Sequence, residues 1–309
     1  MRTVFIGTSA FAAAVLERMA AGEHRPVLAL TRPDRPRGRG RRLGSPPVAE
    51  AARRLGIALE QPANVNEPPA RELIAGAQPD AVVVCAFGAL IREPLLSEHE
   101  LLNVHPSLLP RWRGAAPVER AIMAGDERTG VCIMHLTAGL DSGPVCLAES
   151  ITIEPEDTYG SLAERLQLLG GELIVRALDL TARGEPPTFI EQDEANATYA
   201  EKIGPEDRLL DPARSAVELE RVVRALHPHI GARIALLDGT LLGVHTARVA
   251  VSGDGSGNAP GDAPPAGVLA REDECLLYGA ADGALELTCV QPAGGLPMDA
   301  GAYLRGHAL

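Results

Sequence analysis

The 309-residue chain is 46% hydrophobic and carries a formal net charge of -12. That length and apolar content suit a folded protein of two domains, and the acidity excludes a surface that attracts nucleic acid over its whole extent. No apolar run approaches the roughly 18 to 20 residues of a membrane span, and the start MRTVFIGTSAF lacks the charged head, apolar stretch and cleavage site of a secretory signal, so a cytoplasmic protein is expected.

From the amino terminus, short apolar runs alternate with helical stretches, the pattern of βαβ units and a mainly parallel sheet. TVFIG reads as the first strand, AFAAAVLERMAAG as a helix stopped by Gly22, and RPVLALT as the second strand. A helix at PVAEAARRLG, strands at DAVVVCAFG and LLNVH, a helix near APVERAIMAG, and a strand pair at GVCIMHL and GPVCLAESITI follow. Helical periodicity over residues 160–183 closes this domain, set at 1–188. Residues 189–206 are polar and weakly periodic and read as a linker. Residues 207–309 hold one amphipathic helix, SAVELERVVRALH, and then short apolar segments punctuated by Gly and Asp-Gly, which predicts a small β-barrel. The low-complexity stretch SGDGSGNAPGDAPPA reads as a loop between its strands. The five cysteines are an odd number with no close pairs, mostly inside apolar runs, and are expected to be reduced core residues.

One stretch breaks the acidic balance. Arg32, Arg35, Arg37, Arg39, Arg41 and Arg42 crowd into RPDRPRGRGRR directly after the second strand. Lys202 is the single lysine of the chain, so abundant arginine is a habit of its composition, but the clustering is a separate fact. Proline and glycine are expected to keep this stretch out of helix and sheet. Most charge runs are solvated surface. Guanidinium forks, however, also match phosphates and stack on unpaired bases.

Chemistry concentrates in NVHPSLLPRWRGAAP, residues 103–117. It follows a parallel strand, whose carboxyl end is where ligands bind in open α/β sheets. Alternation puts Asn103 and His105 on one side of that end, an amide and an imidazole converging on one spot. Pro106 restricts the backbone before it and helps to fix the ring. Taken alone, such a pair is more often structural than catalytic. The glycine-framed TAGLDSGP also follows a strand, so Asp141 is expected to reach the same crevice, where a carboxylate can orient the imidazole; the plain alternative is a turn aspartate bonded to its own loop. FIGTSAF lacks the full G-x-G-x-x-G fingerprint, and Thr31 and Arg32 stand where a dinucleotide site wants an acidic residue. That argues against a nicotinamide-dependent dehydrogenase.

Together, NVHPSLLPRWRGAAP and the downstream GLDSGP resemble the signature of the folate-dependent formyltransferases. The similarity runs from FIGTSAFA through TRPDRPRGRGRRL, ATYAEKI and LERVVRALHP to the closing QPAG and LRG. It implies a Rossmann-like α/β formyltransferase domain followed by a small OB-like β-barrel. The implied reaction moves a formyl group from 10-formyltetrahydrofolate, as co-substrate and without a metal, to the α-amino group of methionyl initiator tRNA. Carried over position by position, Asn103, His105 and Asp141 match the catalytic trio, and Ser107, Leu108, Leu109 and Pro110 match the segment lining the folate site. Arg37, Arg39, Arg41 and Arg42 are the candidates for the tRNA acceptor stem, Arg39 foremost. A monomer with no obligate protein partner is expected.

Other formyltransferases, acting on a ribonucleotide or an amino-sugar nucleotide, would share the trio but have no use for an arginine-rich loop. A plain RNA-binding module would use the arginines and leave the trio unexplained. One departure stands against the tRNA reading. Residues 207–309 hold 8 arginines against 13 acidic residues, and HPHIGA places His227 and His229 where relatives carry an aromatic. Capping of the preceding helix is the simpler role for those imidazoles.

Overall fold

A computed structural model describes residues 1–37, 42–236, 238–250 and 263–307, apart from the side chains of Arg37 and Arg42. Tertiary packing divides the chain into two compact units. The first is Met1–Pro117, Arg128–Thr152 and Ala163–Glu201; the second is Val118–Glu127, Ile153–Leu162 and Lys202–Leu309.

In chain order the first part of the protein runs β1 (Thr3–Gly7), α1 (Ala10–Ala20), β2 (Pro26–Leu30), β3 (Arg35–Arg37), β4 (Arg42–Gly44), α2 (Pro47–Leu55), β5 (Ala58–Glu60), α3 (Pro68–Gly76), β6 (Ala81–Cys85), α4 (Leu95–Glu98), β7 (Leu101–His105), β8 (Arg113–Gly114), α5 (Pro117–Ala124), β9 (Arg128–His135), β10 (Val145–Thr152), α6 (Tyr159–Ala182) and β11 (Tyr199–Ala200). The main sheet has the order β10-β9-β7-β6-β1-β2-β5. Its five strands from β5 to β7 are parallel, and β9 and β10 are antiparallel additions at one side. The α/β class with a mainly parallel sheet is therefore the class expected from the alternation of elements. β1, β6 and β7 are buried at every residue, as continuous apolar strands covered on both faces should be. The helices obey their local signals. Ser9 caps α1 by accepting from the Ala12 amide at 3.2 Å, and α2 starts on Pro47 and stops at Gly56, which has φ 67°.

The arginine-rich stretch departs from expectation. Its flanks form a hairpin, with Arg35 opposite Gly44, Pro36 opposite Leu43 and Arg37 opposite Arg42. Pro36 is tolerated because a two-stranded ribbon leaves one edge of each strand free, where a missing N–H costs nothing. Asp34 anchors the base of the ribbon by accepting from Ser45 Oγ at 3.0 Å and Gln61 Nε2 at 2.8 Å. Arg53 clamps both partners, donating to Ser45 Oγ at 2.8 Å and Gln61 Oε1 at 3.1 Å.

Part of the stretch read as a linker is woven into the first unit. Ile190 bridges Val145 in antiparallel fashion, and Tyr199–Ala200 pairs with Arg113–Gly114 in parallel.

The second unit contains α7 (Ala216–Leu226), β12 (Ala232–Ala235), β13 (Leu241–Val249), β14 (Leu269–Glu272), β15 (Cys275–Gly279), β16 (Ala284–Gln291), β17 (Met298–Asp299) and α8 (Ala300–Gly306). The strands make one antiparallel sheet in the order β12-β13-β16-β15-β14, with β17 added on β16. A full capping box starts α7, Ser215 and Glu218 each satisfying the other's backbone, which stabilises a helix by about 1 kcal/mol. Leu219, Val222, Val223 and Leu226 of that helix pack with Leu242, Leu285 and Leu287 of the sheet. The residues read as a barrel loop lie largely outside the described residues. His227 sits at the carboxyl cap of α7, its amide donating to Arg224 O. His229 stacks on Tyr159 with ring centroids 3.6 Å apart and pairs with Glu119 at 3.0 Å.

Candidate active site

β7 brings Asn103 and His105 to one face, two residues apart on a fully buried strand. His105 is 4% exposed, and its ring is held by a partner that the sequence did not suggest: Nε2 donates to the carbonyl of Trp112 at 2.9 Å. A carbonyl can only accept, so Nε2 carries a hydrogen in either charge state and Nδ1 is the ring nitrogen left to take up or release a proton. Asp141 Oδ2 stands 3.7 Å from Nδ1. This is ion-pair distance, longer than a hydrogen bond, so the carboxylate faces the ring nitrogen without occupying it. The Asn103 side chain makes no hydrogen bond among the described residues although it is 7% exposed, leaving its amide free to meet a ligand.

The route by which Asp141 arrives differs from the sequence reading. β9 is antiparallel to β7, so its carboxyl end lies beside Leu101 and Leu102, at the opposite end of the strand from His105. The loop must return about 13 Å along the strand, four residues of rise, which the six residues from Leu136 to Asp141 can span. It is caught there by the amide of Gly114, which donates to Asp141 Oδ2 at 2.9 Å. Gly114 has φ 121°, and a Cβ on it would lie 2.7 Å from the carbonyl oxygen of Ala200, so no other residue fits the position. A side chain on Gly143 would likewise run into the carbonyl of His135. The segment at β8 thus anchors both groups: Trp112 O holds the imidazole just before it, and Gly114 N holds the carboxylate.

Between those two anchor points Arg113 is buried at 2% exposure. Its Nε donates to Gln192 Oε1 at 2.9 Å, and its two terminal nitrogens meet Glu194 at 2.9 and 2.7 Å. That guanidinium holds the Glu194 carboxyl below the usual carboxylate range. Neither Arg113 nor Gln192 carried a local signal, since their partners lie some 80 residues apart along the chain.

The other expected site residues divide. Ser107 is wholly buried and donates its hydroxyl to Arg111 O at 2.7 Å, so it shapes the turn. Leu108, Leu109 and Pro110 are partly exposed, with Leu108 laid against Gly130 of β9. Trp112 has φ 64°, and the Arg111 guanidinium sits 4.4 Å over its ring. Arg39 and Arg41, with the side chains of Arg37 and Arg42, lie outside the described residues. The backbone that carries them leaves the carboxyl end of β2, the sheet edge on which His105 closes β7. Cys132, opposite His105 in register, is no nucleophile: burial pushes its thiol up to about 11.

Comparison with known proteins shows the family of the chain. Residues 1–178 match the family model described as formyl transferase, and residues 202–308 match the formyl transferase C-terminal domain. The methionyl-tRNA formyltransferase of Ectopseudomonas mendocina is 43% identical over 302 residues, covering 96% of this chain and 92% of that protein. The enzyme of the same name from Thiobacillus denitrificans is 41% identical over 311 residues, covering 100% and 97%. The chain belongs to the formyl transferase family, among the methionyl-tRNA formyltransferases.

Solved structures share the fold of this formyl transferase at low identity. HypX from Aquifex aeolicus in complex with tetrahydrofolic acid aligns with a TM-score of 0.66 at 17% identity, covering 98% of this chain and 47% of its own. The chain therefore spans about half the length of HypX. An N-formyltransferase from Helicobacter canadensis, in complex with folinic acid and dTDP-3-aminofucose, aligns at 0.66 and 13% identity, covering 93% and 98%. As a formyl transferase, the protein takes its one-carbon group from 10-formyltetrahydrofolate. The residues suit that donor: a partly exposed apolar ledge at Leu108, Leu109 and Pro110 adjoins, along the chain, a buried amide and an imidazole that can bond a polar edge. Among the described residues, no helix is long and apolar enough to cross a membrane.

Proposed function

We propose that Asn103, His105 and Asp141 carry the transfer of a formyl group from 10-formyltetrahydrofolate to the α-amino group of methionyl initiator tRNA in the cytoplasm. The arginine hairpin and residues 207–309 receive the nucleic acid, and the protein works as a monomer. The observation that carries this reading is the arrangement of the trio: an amide with no partner among the described residues, an imidazole pinned through Nε2, and a carboxylate facing Nδ1. When bound, the donor supplies a formyl carbonyl attached to a nitrogen that can leave.

The chain's own residues then have distinct tasks. As the amine adds and charge gathers on the carbonyl oxygen, the Asn103 amide donates to that oxygen, a contribution whose loss typically costs about 100- to 1,000-fold in rate. His105 Nδ1 accepts the proton that the attacking amine sheds and returns it to the departing nitrogen. Asp141 holds the charge on the ring while the proton is there. The new C–N bond forms in the addition, the old one breaks once its nitrogen has received the proton, and the proton count is unchanged.

Labelled formyl transfer to methionyl initiator tRNA, methionyl elongator tRNA and free methionine tests the assignment. Fast transfer to the first alone is expected, and equal rates on all three would contradict it.

A further inference from the structure

Asp141 adopts φ 45°, a left-handed conformation uncommon outside glycine although Asp tolerates it better than most residues, on a loop that has to double back to reach His105. The Gly114 amide holds its carboxylate. Its backbone is held from the other side. Gln192 Nε2 donates to the carbonyl of Asp141 at 2.9 Å and to the carbonyl of Gly143 at 2.7 Å, so one amide group closes over the turn. The orientation of that amide is chemically forced. Arg113 Nε can only donate, so Gln192 must present Oε1 to it and Nε2 to the two carbonyls. Glu194 in turn fixes Arg113 through both terminal nitrogens. The segment bearing Gln192 is tied down at both ends, by the Ile190–Val145 bridge and by the pairing of Tyr199–Ala200 with β8.

We infer that Gln192 is a positioning residue for formyl transfer, clamping residues 141–143 so that the Asp141 carboxylate faces His105 Nδ1, with Arg113 and Glu194 setting the clamp. The inference rests on the reading that Asp141 serves the reaction through His105. A Gln192 that merely braced the fold would change stability and leave the catalytic rate of the folded enzyme alone.

The test uses the full chain with Gln192→Ala, Gln192→Glu and Asp141→Ala, alone and with Gln192→Ala combined with Asp141→Ala, measuring kcat and both KM values for formyl transfer. Gln192→Glu keeps an acceptor for Arg113 and so preserves the fold, but it has no hydrogen to give the two carbonyls. Both Gln192 variants should lower kcat about tenfold or more, the cost of a misplaced reacting group, with each KM within about twofold of wild type. In the Asp141→Ala background the Gln192→Ala change should add less than about twofold, because a clamp has nothing left to position. Wild-type kcat in Gln192→Glu, or losses that multiply in the double variant, would overturn the inference while leaving the role of Asp141 intact. Wild-type turnover in Asp141→Ala would instead overturn the reading of Asp141, and this inference with it.

Discussion

The trio around β7 and the arginine hairpin after β2 are built in opposite ways. His105 and Asp141 are each tied to main chain, at Trp112 O and Gly114 N, within a few residues of one another. The hairpin is tied at its base, where Asp34, Ser45, Gln61 and Arg53 interlock, and Leu43 beyond them is 73% exposed. Chemistry needs groups held within a fraction of an ångström, and each backbone bond removes a degree of freedom. Attraction of a polyanion needs charge in the right region, and it works over a Debye length without fixed geometry. The two regions should therefore fail differently when altered.

The largest effects are expected at the trio. Asn103→Ala and His105→Ala should each lower kcat about 100- to 1,000-fold, and Asp141→Ala at least about tenfold, with the thermal midpoint little changed. Replacing Arg37, Arg39, Arg41 and Arg42 together with alanine should leave kcat at saturating tRNA intact while raising the KM for tRNA by about tenfold. The slope of log affinity against log salt should shrink by roughly one for each phosphate that is no longer neutralised. Asp34→Ala sharpens the comparison by loosening the hairpin without touching its arginines. The KM for tRNA should rise by a factor of about two to five as the base of the ribbon loosens, with the salt slope preserved.

The smallest effect belongs to the second unit. Burial, followed by the neighbouring His245 and His229, lowers the His227 imidazole below its usual 6.5, and its Nδ1 is buried without a hydrogen-bond partner among the described residues. Glu119 pairs with His229 beside it. The unfolded chain takes up a proton at His227 near pH 6.5 and the folded chain resists doing so, so this contribution to stability is present above that pH and is lost as pH falls below it. His227→Gln should flatten the fall of the melting temperature between about pH 7 and pH 5, measured by calorimetry.

The parts of this molecule that could be read from the chain are those whose partners are close in sequence or set by periodicity. LLNVH forms a strand with the predicted limits because five apolar or strand-facing residues precede a proline, and SAVELERVVRALH declares its own cap and buried stripe. The hairpin at Arg35–Gly44 was hidden because its prolines and glycines argue locally against pairing, and only the ribbon's free edge makes Pro36 acceptable. The placement of Asp141 was anticipated by the wrong path, since nothing in TAGLDSGP reveals that the strand before it runs antiparallel. Gln192 and Glu194 carried no signal at all, because polar residues in a weakly periodic stretch look like solvent-facing linker; Arg113 stands inside the motif, but only the pairing of β8 and β11 shows its guanidinium to be buried.

The central claim is that the trio performs transfer while the arginine hairpin supplies attraction. It is tested most directly by one salt titration of formyl transfer to methionyl initiator tRNA, run on wild type, His105→Ala and the arginine quadruple variant. The account predicts that His105→Ala loses kcat and keeps the wild-type salt slope of kcat/KM, whereas the quadruple variant keeps kcat and loses slope. A quadruple variant with unchanged slope, or a His105→Ala enzyme with wild-type kcat, would contradict it.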